Sequence, residues 1–535
     1  MKRMVLVAMI AALASVSAAA KGSGEAGTVP KAASRPVELK VWAPMHGYQG
    51  TLGMKSYGES RAFQELERRL NVKITWSNPT NGPQANEQFN LMVASGDLPD
   101  MISKVFGQAE IAKLADDGVV IPLKALIQKK APNLKKTLES YPELRRQVYQ
   151  ADGEVYYAPY ARIDPVLREP NVRLLVRQDW LTALKIGEPD TLEDWHAMLK
   201  AFRGGDPNGN GKQDEIPFTC VGVSSGNGTP SIGKLAWEPF GAVNDFMQAD
   251  RKVVFGPTTD AFRSGIEFGR KLIQEGLVDP DFLVQTWSQV DQKILSNLAG
   301  SWYSGNPVRE QIDFKAMIRE KAPSYQLLVA RFPKGPDGVR WALERQLVLW
   351  NNGKGLSITS KSKNVDACMA LIDYSFSPEG DRLLNFGTEG DMYTMKNGRE
   401  EFGPYVTKNP DGLTPIQTLT KHTLSYDGFM WGYIHGPRIY TEIWPQEVTE
   451  PMARRMEGTR SDAIVPQLPF TAKETQSVTS RMNDIRRYTD EMVAKFLLGT
   501  VPMGDYAAFT ERLRTMGIGE VTALYQAAYD RYLKN

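Results

Sequence analysis

Between Val37 and Trp76 the hydrophobic period of the chain changes twice, and that change dictates the kind of sheet it can build. "VELKVWA" alternates Val37, Leu39 and Val41 as a strand does, "SRAFQELERRLN" brings Phe63, Leu66 and Leu70 onto one helical face, and "VKITW" alternates again. Two strands joined by a crossover helix run parallel. The pattern therefore predicts an α/β sheet with its ligands gathered beyond the carboxyl ends of the strands. Trp42 and the loop "APMHGYQG" lie at such an end. "QFNLMVASGDLPDMIS" continues with a helix broken at Gly96 and a further short strand.

The pattern then starts afresh. "NVRLLVRQDWLTAL" reads as a strand passing into a helix, and "TLEDWHAMLKAF" as a helix capped by Thr191 with Glu193 and Asp194 in its first turn. A second α/β lobe from about residue 165 is the simplest account, as 535 residues exceed what one ordinary core supports. Three late helical segments, the first at "SVTSRMNDIRRYTDEMVAKFLLG", close the chain as a cover.

The first twenty residues are of another kind. A basic "MKR", an uncharged run from Met4 to Ala20 and an Ala18-x-Ala20 site describe a secretory signal peptide, with a mature start near Lys21 and a flexible leader over residues 21–36. A membrane anchor is the competing reading, but the run falls short of a bilayer span. No lipid-accepting Leu-x-x-Cys box is present, which favours a free periplasmic protein. Cys220 and Cys368 are the only cysteines, and one bridge between them is neither required nor excluded. Once Lys2 and Arg3 leave with the signal, 62 basic and 62 acidic side chains remain. A near-neutral chain without a basic stripe argues against nucleic acid as a partner.

In "DPNGNGKQDEIP", oxygen-bearing residues recur at every second position. Asp206, Asn208 and Asn210 stand at positions 1, 3 and 5, Gly211 at the sharp turn, Lys212 can offer its carbonyl, and Asp214 and Glu215 supply carboxylates. Hard oxygens in this number suit Ca²⁺. Pro217 stands where an EF-hand has its bidentate Glu, so a single structural loop is expected, with an ion-free surface turn as the alternative.

Catalytic signatures are missing. His46, His196, His422 and His435 are scattered, and neither a Gly-x-Ser-x-Gly elbow nor a phosphate-binding glycine loop is found. Gly22-Ser-Gly24-Glu-Ala-Gly27 matches a dinucleotide fingerprint in letters only, since no strand feeds it. Aromatic residues cluster near turns instead: Trp42, Tyr157, Tyr160, Trp237, Trp287, Trp302, Tyr303, Trp350 with Asn351, Tyr426, Trp431 and Tyr433. Flat aromatic faces beside polar hydrogen-bonders suit sugars. The competing account for each is core packing.

Several segments in this order resemble the extracellular solute-binding proteins of ABC transporters, in the large oligosaccharide-binding branch of alginate-binding and LipO-like proteins. They are "LMVASGDLPDMI", "DGEVYYAPY", "LVRQDWLTALKIGEPDTLEDW", "DPNGNGKQDEIPF", "SPEGDRLLNFGTEGDMY" and the C-terminal "FLLGTVPMGDYAAFTERLRTMGIGEVTALYQAAYDRY". The resemblance implies an α/β two-lobed periplasmic-binding-protein fold, a Venus flytrap with interleaved lobes and a C-terminal helical cover. Lobe 1 is expected over 37–163 with a return at about 305–375, and lobe 2 over 164–304, continued at about 376–535 and including the loop 206–217. By position it implies Arg177, Asp179, Trp180, Trp302, Tyr303 and Glu389 as cleft residues, with Glu389 in lobe 2. Trp42, Tyr160, Trp350, Asn351 and Trp431 join them as aromatic and polar candidates. It also implies a structural calcium loop, a monomer and an inner-membrane ABC permease as partner. Arg177 could fork a uronate carboxylate, or pair with an Asp. A secreted polysaccharide lyase or glycosidase and a sugar-sensing receptor module are the competing functions.

Overall fold

A computed structural model describes residues 35–163, 173–223, 231–304, 310–343, 350–351, 353–424, 430–436 and 455–535. The segment expected to be a signal peptide, the expected leader up to residue 34 and Tyr426 lie outside the described residues.

The chain opens as its periodicity predicts. Strand β1 (Val37–Trp42) is followed by helix α1 (Arg61–Leu70), β2 (Val72–Ser77), α2 (Pro83–Ser95) and β3 (Met101–Val105). β1 and β2 pair in parallel from Val37 opposite Val72 to Trp42 opposite Ser77. Helix α2 stops where Gly96 takes a left-handed φ of 70°, a conformation glycine adopts without a Cβ penalty. Helices α3 (Gln108–Asp116) and α4 (Pro142–Val148) lead to β4 (Ala158–Ala161). The chain then crosses to a second sheet made of β5 (Arg173–Arg177), β6 (Ile216–Thr219), β7 (Ala299–Ser304) and β8 (Leu327–Val329). Helices α5 (Gln178–Leu184) and α6 (Leu192–Gly204) follow β5, and α7 (Trp287–Leu295) precedes β7. Thr191 and Asp194 form a reciprocal capping box on α6, as its sequence predicts.

A second crossing returns the chain to β9 (Lys354–Ile358) and β10 (Tyr433–Ile434) of the first sheet, and a third sends it back to α8 (Ala472–Leu498), α9 (Tyr506–Thr515) and α10 (Ile518–Lys534). The first sheet has the order β10-β4-β9-β3-β1-β2, and the second β8-β5-β7-β6. In the first, β9 alone runs against its neighbours. In the second, β5 is antiparallel to both β7 and β8.

Both sheets are covered on both faces. In the first, Leu39 and Val41 point into one core and Trp42 and Ile102 into another. In the second, Leu174 and Val176 face a large core shared with the C-terminal helices, while Leu175 and Trp302 face a smaller one under α7. Sheets buried on two sides read as near-continuous apolar runs, and "RLLV" is one.

The strand order moves the expected boundaries. Residues 310–343 stay with lobe 2, because β8 pairs with β5 and Ala330, Phe332 and Ala342 enter its core. Lobe 1 takes its return from Trp350 to beyond β10, including Leu371, Leu383 and Trp431. The described residues 455–535 belong to lobe 2 again. Strand pairing, invisible to a periodicity argument, decides these limits.

Candidate functional site

Three chain crossings lie side by side at one end of both sheets. The Arg162 amide donates to the Trp350 carbonyl at 2.9 Å, and the His435 amide to the Ala161 carbonyl at 3.0 Å, so the first crossing touches the other two. The side chain of Gln147 on α4, fully enclosed, accepts from the amides of Trp350 and Asn351. Facing this hinge are the carboxyl ends of β1, β2 and β3 in lobe 1 and of β6 and β7 in lobe 2. A cleft between the lobes is therefore bordered by strand ends, as the parallel opening predicts.

That geometry sorts the candidate residues. Arg173 opposes Ser304 at the hinge end of the second sheet, so β5 runs away from the hinge and Arg177 lies at its outer end. The Arg177 guanidinium is 1% exposed and forks onto Asp179 through Nε at 2.8 Å and Nη2 at 2.6 Å. The Arg177–Asp179 pair is thus a structural salt bridge, and Trp180, also 1% exposed, packs on Phe202 and beneath Arg177. These three do not border the cleft.

The strand aromatics are core residues for the reason given by the layers. Trp42 packs on Phe89 of α2 and lines a groove of about 350 Å³ between that helix and the sheet. Tyr160 lies at the hinge between His435, stacked at 5.1 Å, and Lys354, whose ammonium sits 5.2 Å from the ring centre. Trp302 donates to Glu310 in the smaller core, and Tyr303 is enclosed near Lys234. Trp431 donates to the Ser375 hydroxyl inside lobe 1. Asn351 is fully buried, donates to Tyr157 at 2.7 Å and accepts from the Gly353 amide. Half-buried Trp350 belongs to the second crossing and packs on Tyr141. Glu389 is exposed and belongs to lobe 1, beside Arg69, Arg382 and Tyr393 in a pocket of about 220 Å³; its expected place in lobe 2 is corrected by the returned boundary.

Trp287 is one of the turn-proximal aromatics that are not among the expected cleft residues, and the fold leaves it at the surface. Helix α7 starts beside the hinge end of β6, where Gln285 donates to Thr219 and to the Cys220 carbonyl. Trp287 is its first residue and is 42% exposed, next to Val284 at 83%. Its distinguishing signal is position, immediately after the N-cap Thr286, where a helix has turned only once and neighbours are few.

At the loop of residues 206–215, Asp206 accepts the amides of Asn210 and Gly211 at 3.0 Å, and Asn210 accepts that of Lys212 at 2.8 Å. The Asn208 and Asn210 side-chain amides donate to Asp214, whose carboxyl pKa is lowered by the Asn210 bond. Glu215 is 2% exposed. Both its oxygens are enclosed without a hydrogen bond of good geometry, the amides of Glu215 and Asn208 only softening the penalty. Burial, reinforced by Asp206 and Asp214, pushes its pKa up. Among the described residues no three His, Cys, Asp or Glu side chains converge as a metal cage by themselves. A hard cation here would take the Asn208 and Asn210 oxygens and the Lys212 carbonyl as well, and an orphaned buried carboxylate fits such a group. Cys220 and Cys368 are free and buried in different lobes.

Among the described residues no helix is long and apolar enough to cross a membrane. The family model described as bacterial extracellular solute-binding protein matches residues 56–382. The fructooligosaccharide ABC transporter substrate-binding protein FusA of Streptococcus pneumoniae is 30% identical over 370 residues, 66% of this chain and 65% of FusA, so the match reaches just under two thirds of that protein. The polygalacturonan/rhamnogalacturonan-binding protein YtcQ of Bacillus subtilis is 22% identical over 98% of both chains. Among solved structures, FusA in complex with kestose superimposes with a TM-score of 0.69 at 24% identity, covering 93% of this chain and all of that one. The alginate-binding protein AlgQ2 without calcium ion does so with 0.66 at 24%, covering 93% and 99%. With two interleaved α/β lobes, a triple crossing and a family match over more than half its length, the chain belongs to the bacterial extracellular solute-binding proteins.

Proposed function

We propose that this protein captures an oligosaccharide between its lobes and delivers it to the membrane permease of an ABC importer, as a monomer exported by its signal peptide and without itself making or breaking a bond. The observation that carries the reading is the triple crossing: the described ends of the three crossings are hydrogen-bonded side by side, a hinge about which two strand-end surfaces can close on a ligand. The names of FusA and YtcQ support a sugar of several residues. Trp287 supplies an exposed aromatic face at the rim for stacking on a sugar ring. Because the Arg177 fork is filled by Asp179, it offers no uronate site, and the charge of the sugar is set elsewhere.

The loop 206–215 holds a structural calcium ion through Asp206, Asn208, Asn210, Lys212, Asp214 and Glu215. The orphaned Glu215 carboxylate supports this, as does a solved FusA structure described as an EF-hand mutant. The ion's part is to neutralise Glu215 and tie the loop to β6; it takes no part in sugar chemistry.

Isothermal titration of the mature protein in calcium, with fructo-oligosaccharides, oligogalacturonates and their monosaccharides, tests the reading. Micromolar or tighter binding of one oligosaccharide class, contraction in small-angle scattering and unchanged sugar after incubation are expected. Silence across the panel, or release of shorter products, would overturn it.

A further inference from the structure

We infer that Asn297 and Arg177 form an outer shell for the cation loop and set its affinity for calcium. The inference rests on the calcium reading of that loop. Asn297 sits in the turn between α7 and β7 with a φ of 61°, a left-handed conformation that Asn tolerates. Its carbonyl accepts from Asn208 Nδ2 at 3.3 Å. Its side-chain oxygen accepts from Arg177 Nη1 at 2.6 Å. The next carbonyl, of Leu298, accepts from the Ile216 amide at 2.8 Å, directly after Glu215.

Arg177 is a rigid post for this turn. Two of its nitrogens are held by Asp179, and its guanidinium carbon lies 4.9 Å from the Trp180 ring centre and 4.8 Å from that of Tyr325. A guanidinium gripped along its edge and packed against two rings is held in place, and it holds Asn297. Asn297 in turn helps fix which way the Asn208 amide faces: its nitrogen is shared between the Asn297 carbonyl and Asp214, and its oxygen is left to the loop, where it accepts the Asn210 amide at 3.0 Å. Orientation of a ligand by an unligated neighbour is how outer shells tune metal affinity, typically by about 10- to 100-fold. The contact also joins the loop to the outer end of β5, which shares no covalent neighbourhood with it.

The test is calcium titration of the full mature protein by calorimetry. Asn297→Gly keeps the left-handed backbone while removing the grip on Arg177, and a loss of about tenfold or more in calcium affinity is expected. Asn297→Asp keeps an acceptor for Arg177 and should stay within about threefold of the parent. Equal affinity in the parent and Asn297→Gly would overturn the outer shell while leaving the calcium site standing. A parent that takes up no calcium would remove both. Hydrogen exchange on the unaltered protein gives an independent readout: calcium should protect amides of residues 177–182 together with those of 206–216, and protection confined to the loop would overturn the inference.

Discussion

Replacing Glu215 by Gln should reverse its effect on stability according to whether calcium is present. In chelator at neutral pH, the parent buries an ionised carboxylate with no good partner beside two further carboxylates, whereas Gln has the same shape and no charge. An unsatisfied buried charged group costs at least about 1–3 kcal/mol, of which a neutral amide recovers the larger part. The variant should therefore unfold later than the parent by ~1–2 kcal/mol, roughly 2–4 °C for a lobe of this size. With free calcium at ~100 times the dissociation constant the parent gains about 2.7 kcal/mol, roughly 5 °C, while the variant, short of one anionic ligand, gains much less. The two melting curves should thus cross in order. Acid sharpens the test. The folded pKa of Glu215 is raised, so in chelator the folded state binds this proton more tightly than the unfolded chain. Its contribution is fully present below the ordinary carboxylate pKa and is lost as pH rises through the raised value; Gln should abolish that dependence. Calorimetric scans with chelator and with calcium, across mildly acid to neutral pH, measure all of this. A Gln variant that melts below the parent in both media would refute the reasoning and make Glu215 an ordinary structural residue.

Trp287→Ala should weaken oligosaccharide binding about three- to tenfold, the worth of one aromatic face, with the melting temperature unchanged; intact affinity in calorimetry would remove Trp287 from the site. Arg177→Met leaves Asp179 buried without its partner and should cost about 3–5 kcal/mol in denaturant unfolding. Retention of full stability would show that the pair is dispensable. Cys220 and Cys368 should resist a thiol reagent in the folded protein, since both are buried and burial pushes the Cys368 thiol up to about 12. Rapid labelling of either without denaturant would contradict their placement.

The opening of lobe 1 was legible because local period and topology coincide: Leu39, Leu66 and Ile74 are spaced for the elements they occupy and meet in one core. Lobe membership after residue 304 was not. β8 and β9 are short apolar strands 25 residues apart, and nothing local says that Leu327 pairs with Arg177 while Ile358 pairs with Met101. The proposed cation loop is readable because its oxygen-bearing residues fall within ten positions, Asp206 to Glu215. The cleft was not, for a sheet covered on both faces buries its aromatics wherever they stand: Trp302 and Trp287 look alike in sequence, and only the position of α7 leaves one of them at the surface. Which of the two readings of Arg177 holds turns on strand direction. A strand leaving a hinge carries its first residue to the cleft and its last away from it, and β5 leaves.

Interleaving also sets a timetable for the nascent chain. The core of lobe 1 needs Leu371, Leu383 and Tyr433, and that of lobe 2 needs Phe496, Val521 and Tyr532 at the far terminus. The Asn535 carbonyl even accepts from Arg145 Nε of lobe 1 at 3.2 Å. Contacts so distant in sequence are slow to form, because the intervening loops must close first. A polypeptide emerging from its amino end thus has no finished core until its second crossing has been made and used, and no complete molecule until its last helix docks. If the chain is exported through a narrow pore, in keeping with the proposed function, that delay keeps it threadable.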